Sequence, residues 1–276
     1  MKQNNWIVCI KFLVLSLVSF IVLVPIYYLI VTTFKSAPEA AANPMSLPQS
    51  WSLSPYIEAF QKMNYLNAFK NTLIITSLSV IGLVVVSSMA GYVLNRMSQK
   101  KIYSRIFLII LAGMMFPYQM SIMGLYKIVQ NLNLMNTLLA VILINIAVNI
   151  PFATLMFHSF ADTIPTELEE SARMDGATFF QIFRKVIFPL LKPTTMTIAI
   201  LNTLTIWNDF MGPLYFLQSR EQNVILQEVN RNIGQFSTDW SSMFPMMVLG
   251  ILPLLIFYLI MQRYIIGGVM SGAVKG

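Results

Sequence analysis

The side chains that could do chemistry are few. One histidine, His158, and one cysteine, Cys9, cannot build a His-rich metal centre or an intramolecular disulfide. No G-x-x-x-x-G-K-[ST] phosphate loop, H-E-x-x-H or G-x-S-x-G occurs, so ATP hydrolysis by that loop is excluded and catalytic readings find no constellation. What remains is a set of amides and one acid in apolar surroundings: Asn145 and Asn149 in "INIAVNIPF", Asn202, and Asn208 with Asp209 in "TIWNDFMGP". Asn145 and Asn149 lie one turn apart on one helical face. Uncharged amides can hydrogen-bond a polar solute, and they also serve as interhelical glue worth about 1 kcal/mol. Glue is the preferred reading for any one of them. Asp209 could act as a polar gate or solute contact, but it stands roughly 25 Å along a helix from Lys192. Beside Trp207, that is the level of a membrane interface rather than the midplane where ion-coupling acids sit.

The elements that must carry these residues follow from composition. The chain has 276 residues, 57% hydrophobic and only 11% charged, with mean hydropathy +0.69, against roughly 25% charged in a soluble domain. It is built for a bilayer. Six apolar stretches, about 12–34, 71–95, 106–126, 134–160, 194–217 and 243–266, each approach the roughly 20 residues that cross hydrocarbon as a helix. The expectation is an all-α, polytopic protein with six transmembrane helices in one membrane domain over 1–276. The first stretch competes with a signal peptide, but its apolar core exceeds the usual 7–15 residues, and it is kept as an anchor. Pro25, Pro117 and Pro151 fall inside spans and predict kinks. Ser87 and Gly91 have small-xxx-small spacing and read as packing; His158 reads as a satisfied interface residue.

Orientation follows from the basic residues. One set of segments holds Lys2, Lys11, Arg96, Lys100, Lys101, Arg105, Arg173, Arg184, Lys185, Lys192, Arg263 and Lys275, twelve in all; the other holds Lys35, Lys62, Lys70, Lys127, Arg220 and Arg231, six. Short basic loops stay cytoplasmic, so both termini are expected inside (N-in, C-in). Topology accounts for most of the net charge of +7, and nucleic-acid binding becomes unnecessary.

The fourth loop, "EESARMDGATFFQIFRKVIFPLLKP", then faces the cytoplasm. Pro165 stops the preceding helix, and Thr166 three residues before Glu169 has the spacing of a capping box. Glu167, Glu169 and Glu170 suit the positive end of a helix. Asp175–Gly176 breaks it. Phe179, Ile182, Phe183 and Val186 then share one face of a second helix, which Pro189 closes. The result is a hairpin over 166–188. It reads either as an interfacial amphipathic element or as a protein-docking knob. Its acidic first arm, with Ser171, Ala172, Gly176 and Ala177 small at the tip, suits a protein groove better than anionic lipid.

"ESARMDG", nine further residues and "VIFP" resemble the EAA loop of importer-type ATP-binding-cassette permeases. Glu170, Ala172, Gly176 and Pro189 match, while Ser171, Val186 and Phe188 are small departures. "PIYYLIVTTFKS", "NTLIITS", "IWNDFMGPLYFL", "TDW" and "QRYIIGGVMSGAVKG" are similar, in order, to the maltose-type carbohydrate permeases, and to the shorter of the two partners there. The resemblance implies a coupling helix docking on an ATPase subunit through Glu170, Ser171, Ala172, Arg173, Asp175, Gly176, Ala177 and Pro189. It implies a tail, 267–276, reaching the paired ATPases through Gly272, Lys275 and Gly276, although four glycines argue against a stable helix there. It further implies a second permease of six or more spans, two ABC ATPase subunits, an extracytoplasmic sugar-binding protein, a sugar substrate, and residence in a bacterial cytoplasmic membrane. No catalytic residue, metal or cofactor is expected on this chain, ATP and Mg belonging to the partner. The alternative class is an ion-coupled secondary transporter or channel.

Overall fold

The computed structural model describes residues 5–232 and 240–273, with 5, 7, 8 and 263–273 described by their backbone. Every regular element among them is helical. In hydrocarbon a backbone amide has no water to bond, so apolar segments satisfy it within their own helix. Among the described residues four helices are long and apolar enough to cross a membrane, in Cys9–Thr32, Tyr65–Arg96, Leu138–Ala161 and Trp240–Gln262. They lie within α1 (Asn5–Thr32), α4 (Tyr65–Arg96), α7 (Leu138–Ala161) and α14 (Trp240–Ala273). Pro25 and Pro151 are carried inside α1 and α7 without ending them.

The third and fifth expected spans are not single helices. The third is divided into α5 (Lys101–Ala112), a 3₁₀ turn and α6 (Tyr118–Asn131), bent by 105°. Pro117 forces Phe116 into extended backbone, at φ −94° and ψ 119°, since the residue before proline disfavours helix. The fifth, α11 (Lys192–Trp207), stops before Asn208, and α12 (Met211–Phe216) starts anew. Pro213 cannot donate to the Asp209 carbonyl four residues back and would clash with it. The Asp209 carboxylate instead accepts the Gly212 N–H at 3.1 Å. At its other end α11 turns by 72° from Phe179–Leu190. The kink expected at Pro117 is thus a full break in the 106–126 span, and the expectation of one continuous span over 194–217 is corrected by the break at Asn208.

The chain divides into two compact units. The first comprises Met1–Tyr65 and Glu228–Leu252. There Tyr28 meets Phe244 edge-on at 5.7 Å, Thr33 Oγ1 and Tyr56 Oη share a hydrogen bond of 2.9 Å, and Tyr65 Oη donates to the Leu249 carbonyl. The segment after α1 is not featureless: it holds α2 (Ala37–Ala42) and α3 (Ser54–Lys62). Buried Lys35 donates to the carbonyls of Asn43 and Pro44.

The second unit, Leu66–Gln227 with Pro253–Gly276, holds the larger core, including Leu83, Tyr92, Val141, Phe157, Ile182, Ile187 and Ile198. The packing reading of Ser87–Gly91 is borne out. A Cβ on Gly91 would stand 2.7 Å from Phe157 Cβ and 2.8 Å from the His158 nitrogen, so α4 and α7 meet there at backbone distance. His158 stacks on Phe107 at 4.1 Å. Asn136, at φ +60°, buckles the start of α7 to the chain after α12: it donates to the Phe216 carbonyl, and its Oδ1 accepts from Gln218 and Ser219.

Candidate functional site

The hairpin forms in the second unit, but not quite by the rules its sequence suggested. The first arm is α8 (Glu167–Met174). Thr166 is itself helical, at φ −67° and ψ −25°, and its side chain caps nothing; the expected Thr166–Glu169 capping box is absent. Glu169 turns inward instead, accepting from Arg96 Nε at 2.6 Å and from Tyr92 Oη at 2.8 Å. A buried carboxylate is tolerated only with full pairing, and that demand outweighs a local cap. The capping box sits twelve residues on, at Thr178. Thr178 Oγ1 accepts the Gln181 N–H while Gln181 Oε1 accepts the Thr178 N–H, which starts α9 (Phe179–Ile182).

Between the arms α8 ends in a Schellman motif. The Gly176 N–H donates to the Arg173 carbonyl and the Ala177 N–H to the Ala172 carbonyl, with Gly176 at φ +79°. That is the 5→2 and 6→1 pattern that satisfies a helix's last carbonyls. The second arm is not a uniform α-helix: Phe183–Ile187 is a π turn, followed by α10 (Phe188–Leu190). The wider turn displaces the apolar face by one residue. Ile187, fully buried, takes the core position expected of Val186, which is only half-buried. Pro189 lies within α10 rather than closing the arm.

The residues proposed for docking separate by exposure. Glu170, Ser171, Arg173, Asp175 and Gly176 are exposed at the tip, Ala172 and Ala177 turn half inward onto the core, and Pro189 is exposed at the base of the other arm. Met174, not singled out from sequence, is the most prominent tip side chain at 89% exposure. The tail's Gly272 lies in the backbone of α14, which runs as helix to Ala273 despite its glycines; Lys275 and Gly276 lie outside the described residues.

The amides are brought together only in part. Asn145 is buried, donating to the Val141 carbonyl, and its other approach is to Asp209 Oδ2 at 3.5 Å. Asn149, Asn202 and Asn208 each donate to a carbonyl four residues back in their own helix. Close by, Gly212 allows the Asp209 carboxylate an approach that a Cβ would block at 2.5 Å, and the buried Tyr118 hydroxyl has no hydrogen-bond partner among the described residues. Neither residue carried a signal in the sequence. Asn145 and Asp209 thus form one polar point between α7 and the α11–α12 break; Asn202 is buried on α11 and Asn208 is exposed.

Comparison with known proteins places this architecture. Residues 83–270 match the family described as the binding-protein-dependent transport system inner membrane component. The melibiose/raffinose/stachyose import permease protein MelC of Bacillus subtilis is 33% identical over 92% of this chain and 91% of that protein. The arabinooligosaccharides transport system permease protein AraQ of Halalkalibacterium halodurans is 31% identical over 99% and 97%. Among solved structures, a bacterial ABC transporter involved in the import of the acidic polysaccharide alginate superposes with a TM-score of 0.84 at 20% identity, over 96% of this chain and 98% of that one. The inward-facing methionine ABC transporter MetNI gives 0.58 at 21% identity, over 74% and 95%. The structures share the fold; the family match and the relatives above 30% identity go further, and the protein belongs to the binding-protein-dependent transport system inner membrane components, as a multi-pass membrane permease.

Proposed function

We propose that the chain is the permease subunit of an ATP-driven oligosaccharide importer in a bacterial cytoplasmic membrane, working by alternating access, with α8 as its coupling helix. The observation that carries this reading is the build of α8: an exposed acidic tip with Met174 at its crown, closed by a Schellman turn and fixed from below by buried pairs. A helix that only rested on lipid would be basic and would turn its apolar side chains to the headgroups. The oligosaccharides in the names of MelC and AraQ support a sugar as cargo. In this reading two ATPase subunits hold ATP and Mg, a second permease completes the pore, and an extracytoplasmic binding protein delivers the sugar. Asn145, Asn149, Asn202, Asn208 and Asp209 are the candidates for its path, and the tail residues Gly272, Lys275 and Gly276 are candidates for a second ATPase contact.

The test is a cross-link. In a Cys9→Ser background, Met174→Cys should cross-link to the co-expressed ATPase subunit, and proteoliposomes of the whole complex should import at least one of melibiose, raffinose, maltotriose or arabinotriose only with ATP inside. No cross-link, or uptake by this chain alone under an imposed proton or sodium gradient, overturns the proposal in favour of a secondary transporter.

A further inference from the structure

We infer that Arg96, Tyr92 and Glu169 form the junction that passes movement of α8 into α4, which makes Glu169 a positioning residue for transport rather than part of the docking surface. The inference rests on the docking role proposed above for α8. Three glutamates open that helix, and only one is withdrawn: Glu167 and Glu170 are exposed, whereas Glu169 is 6% exposed. Its two oxygens are divided between two α4 side chains one turn apart, Oε1 to Arg96 Nε and Oε2 to Tyr92 Oη.

Each of those side chains holds a further element. Arg96 Nη1 donates to the carbonyl of Ala161, the last residue of α7, and Nη2 to that of Ile164 at 2.8 Å. The guanidinium therefore also caps the end of α7, where a cation suits the helix dipole. The Tyr92 ring is stacked against Phe179 at 5.6 Å and lies 5.5 Å from Phe183, so it grips the second arm while its hydroxyl holds the first. Two residues of α4 thus bind α7, α8, α9 and the π turn at one point.

The chemistry chosen for that point is informative. Apolar contacts would fix a hairpin without the desolvation cost of a buried ion pair. A charge-assisted pair held by the planar guanidinium fork is directional, and in low dielectric it resists partial opening. α8 consequently cannot tilt alone; α4 must follow it. Coupling between distant sites requires such an element with two arrangements that both sites bias, and the rigid pair α8–α4 supplies the link from the ATPase side to the membrane-spanning helix.

The experiment uses the whole complex with its ATPase subunits in nanodiscs, in the Cys9→Ser background, with a nitroxide on Ser77→Cys. Ser77 is exposed on α4, about 28 Å along the helix from Arg96. Spectra are compared without nucleotide and with ATP plus vanadate. The parent should show a nucleotide-dependent change. Glu169→Gln should reduce it by about fivefold, and Glu169→Asp by less, while co-purification of the ATPase and the Met174→Cys cross-link persist. Should Glu169→Gln fail to assemble, Tyr92→Phe, which keeps the ring contacts and removes one hydroxyl, must reduce the change by about twofold. An unaltered nucleotide response in the variants that assemble, or none in the parent, overturns the junction. Loss of the Met174→Cys cross-link in the parent instead overturns the docking role of α8, a separate outcome.

Discussion

Gly91 and Gly176 must both be glycine, for opposite reasons. At Gly91 the constraint is space: a Cβ would meet Phe157 Cβ at 2.7 Å and the His158 backbone nitrogen at 2.8 Å, and backbone cannot step aside as a flexible side chain can. Gly91→Ala should separate α4 from α7 at a cost of about 1–3 kcal/mol. At Gly176 nothing lies within 4 Å of a Cβ, but φ is +79°. Gly176→Val should cost on the order of 1 kcal/mol through backbone strain alone, and Gly176→Asn less, because asparagine tolerates the left-handed region. Melting in detergent separates the two: Gly91→Ala lowers Tm and keeps the Met174→Cys cross-link to the ATPase, while Gly176→Val lowers the cross-link far more than Tm. A Gly91→Ala protein that melts with the parent would contradict the close approach. Both glycines were legible in the sequence because their signals are local, a small-xxx-small spacing and an Asp–Gly break. The pairing of Glu169 with Arg96 was not, because residues so distant in sequence leave no local pattern; Arg96 counted only as a topological charge.

Among the elements, legibility ended where a local rule had a rival. Continuous apolar length identified α1, α4, α7 and α14, and α1 and α7 run on as helix past the N–H that Pro25 and Pro151 lack. The same measure ran across Phe116–Pro117 and Asp209–Pro213, because hydropathy does not register a missing N–H. At the hairpin two capping signals competed, T-x-x-E at Thr166 and T-x-x-Q at Thr178, and burial of Glu169 removed the first from use. Thr178→Ala should therefore destabilise the second arm by about 1 kcal/mol, whereas Thr166→Ala, whose hydroxyl caps nothing, should leave Tm unchanged. Equal losses from both, read by thermal melting of the purified complex, would mean that Thr166 caps α8 after all. The π turn lay beyond sequence reasoning, because its apolar face fits an α-helix until Ile187 replaces Val186 in the core.

For the molecule as a whole, topology decides whether α8 can meet an ATPase at all. The twelve-to-six division of basic residues predicts a cytoplasmic hairpin. Between its tip and Glu221 the chain passes through the bent pair Phe179–Leu190 and Lys192–Trp207, which is either one broken span or a re-entrant loop. α11 has 16 residues, about 24 Å of helix, short of the roughly 30 Å of hydrocarbon. The six residues of α12 follow the break; in line with α11 they would add about 9 Å, enough to complete a crossing. Met174→Cys and Glu221→Cys, each in a Cys9→Ser background, both present exposed positions. Replacing the Glu221 side chain leaves its carbonyl free to accept from Asn67 and Asn71. A membrane-impermeant maleimide should label residue 221 in intact cells and residue 174 only in inverted vesicles. Labelling of both from the inner side would make the bent pair re-entrant. The reverse pattern would put α8 outside, away from ATP, and remove the basis for coupling.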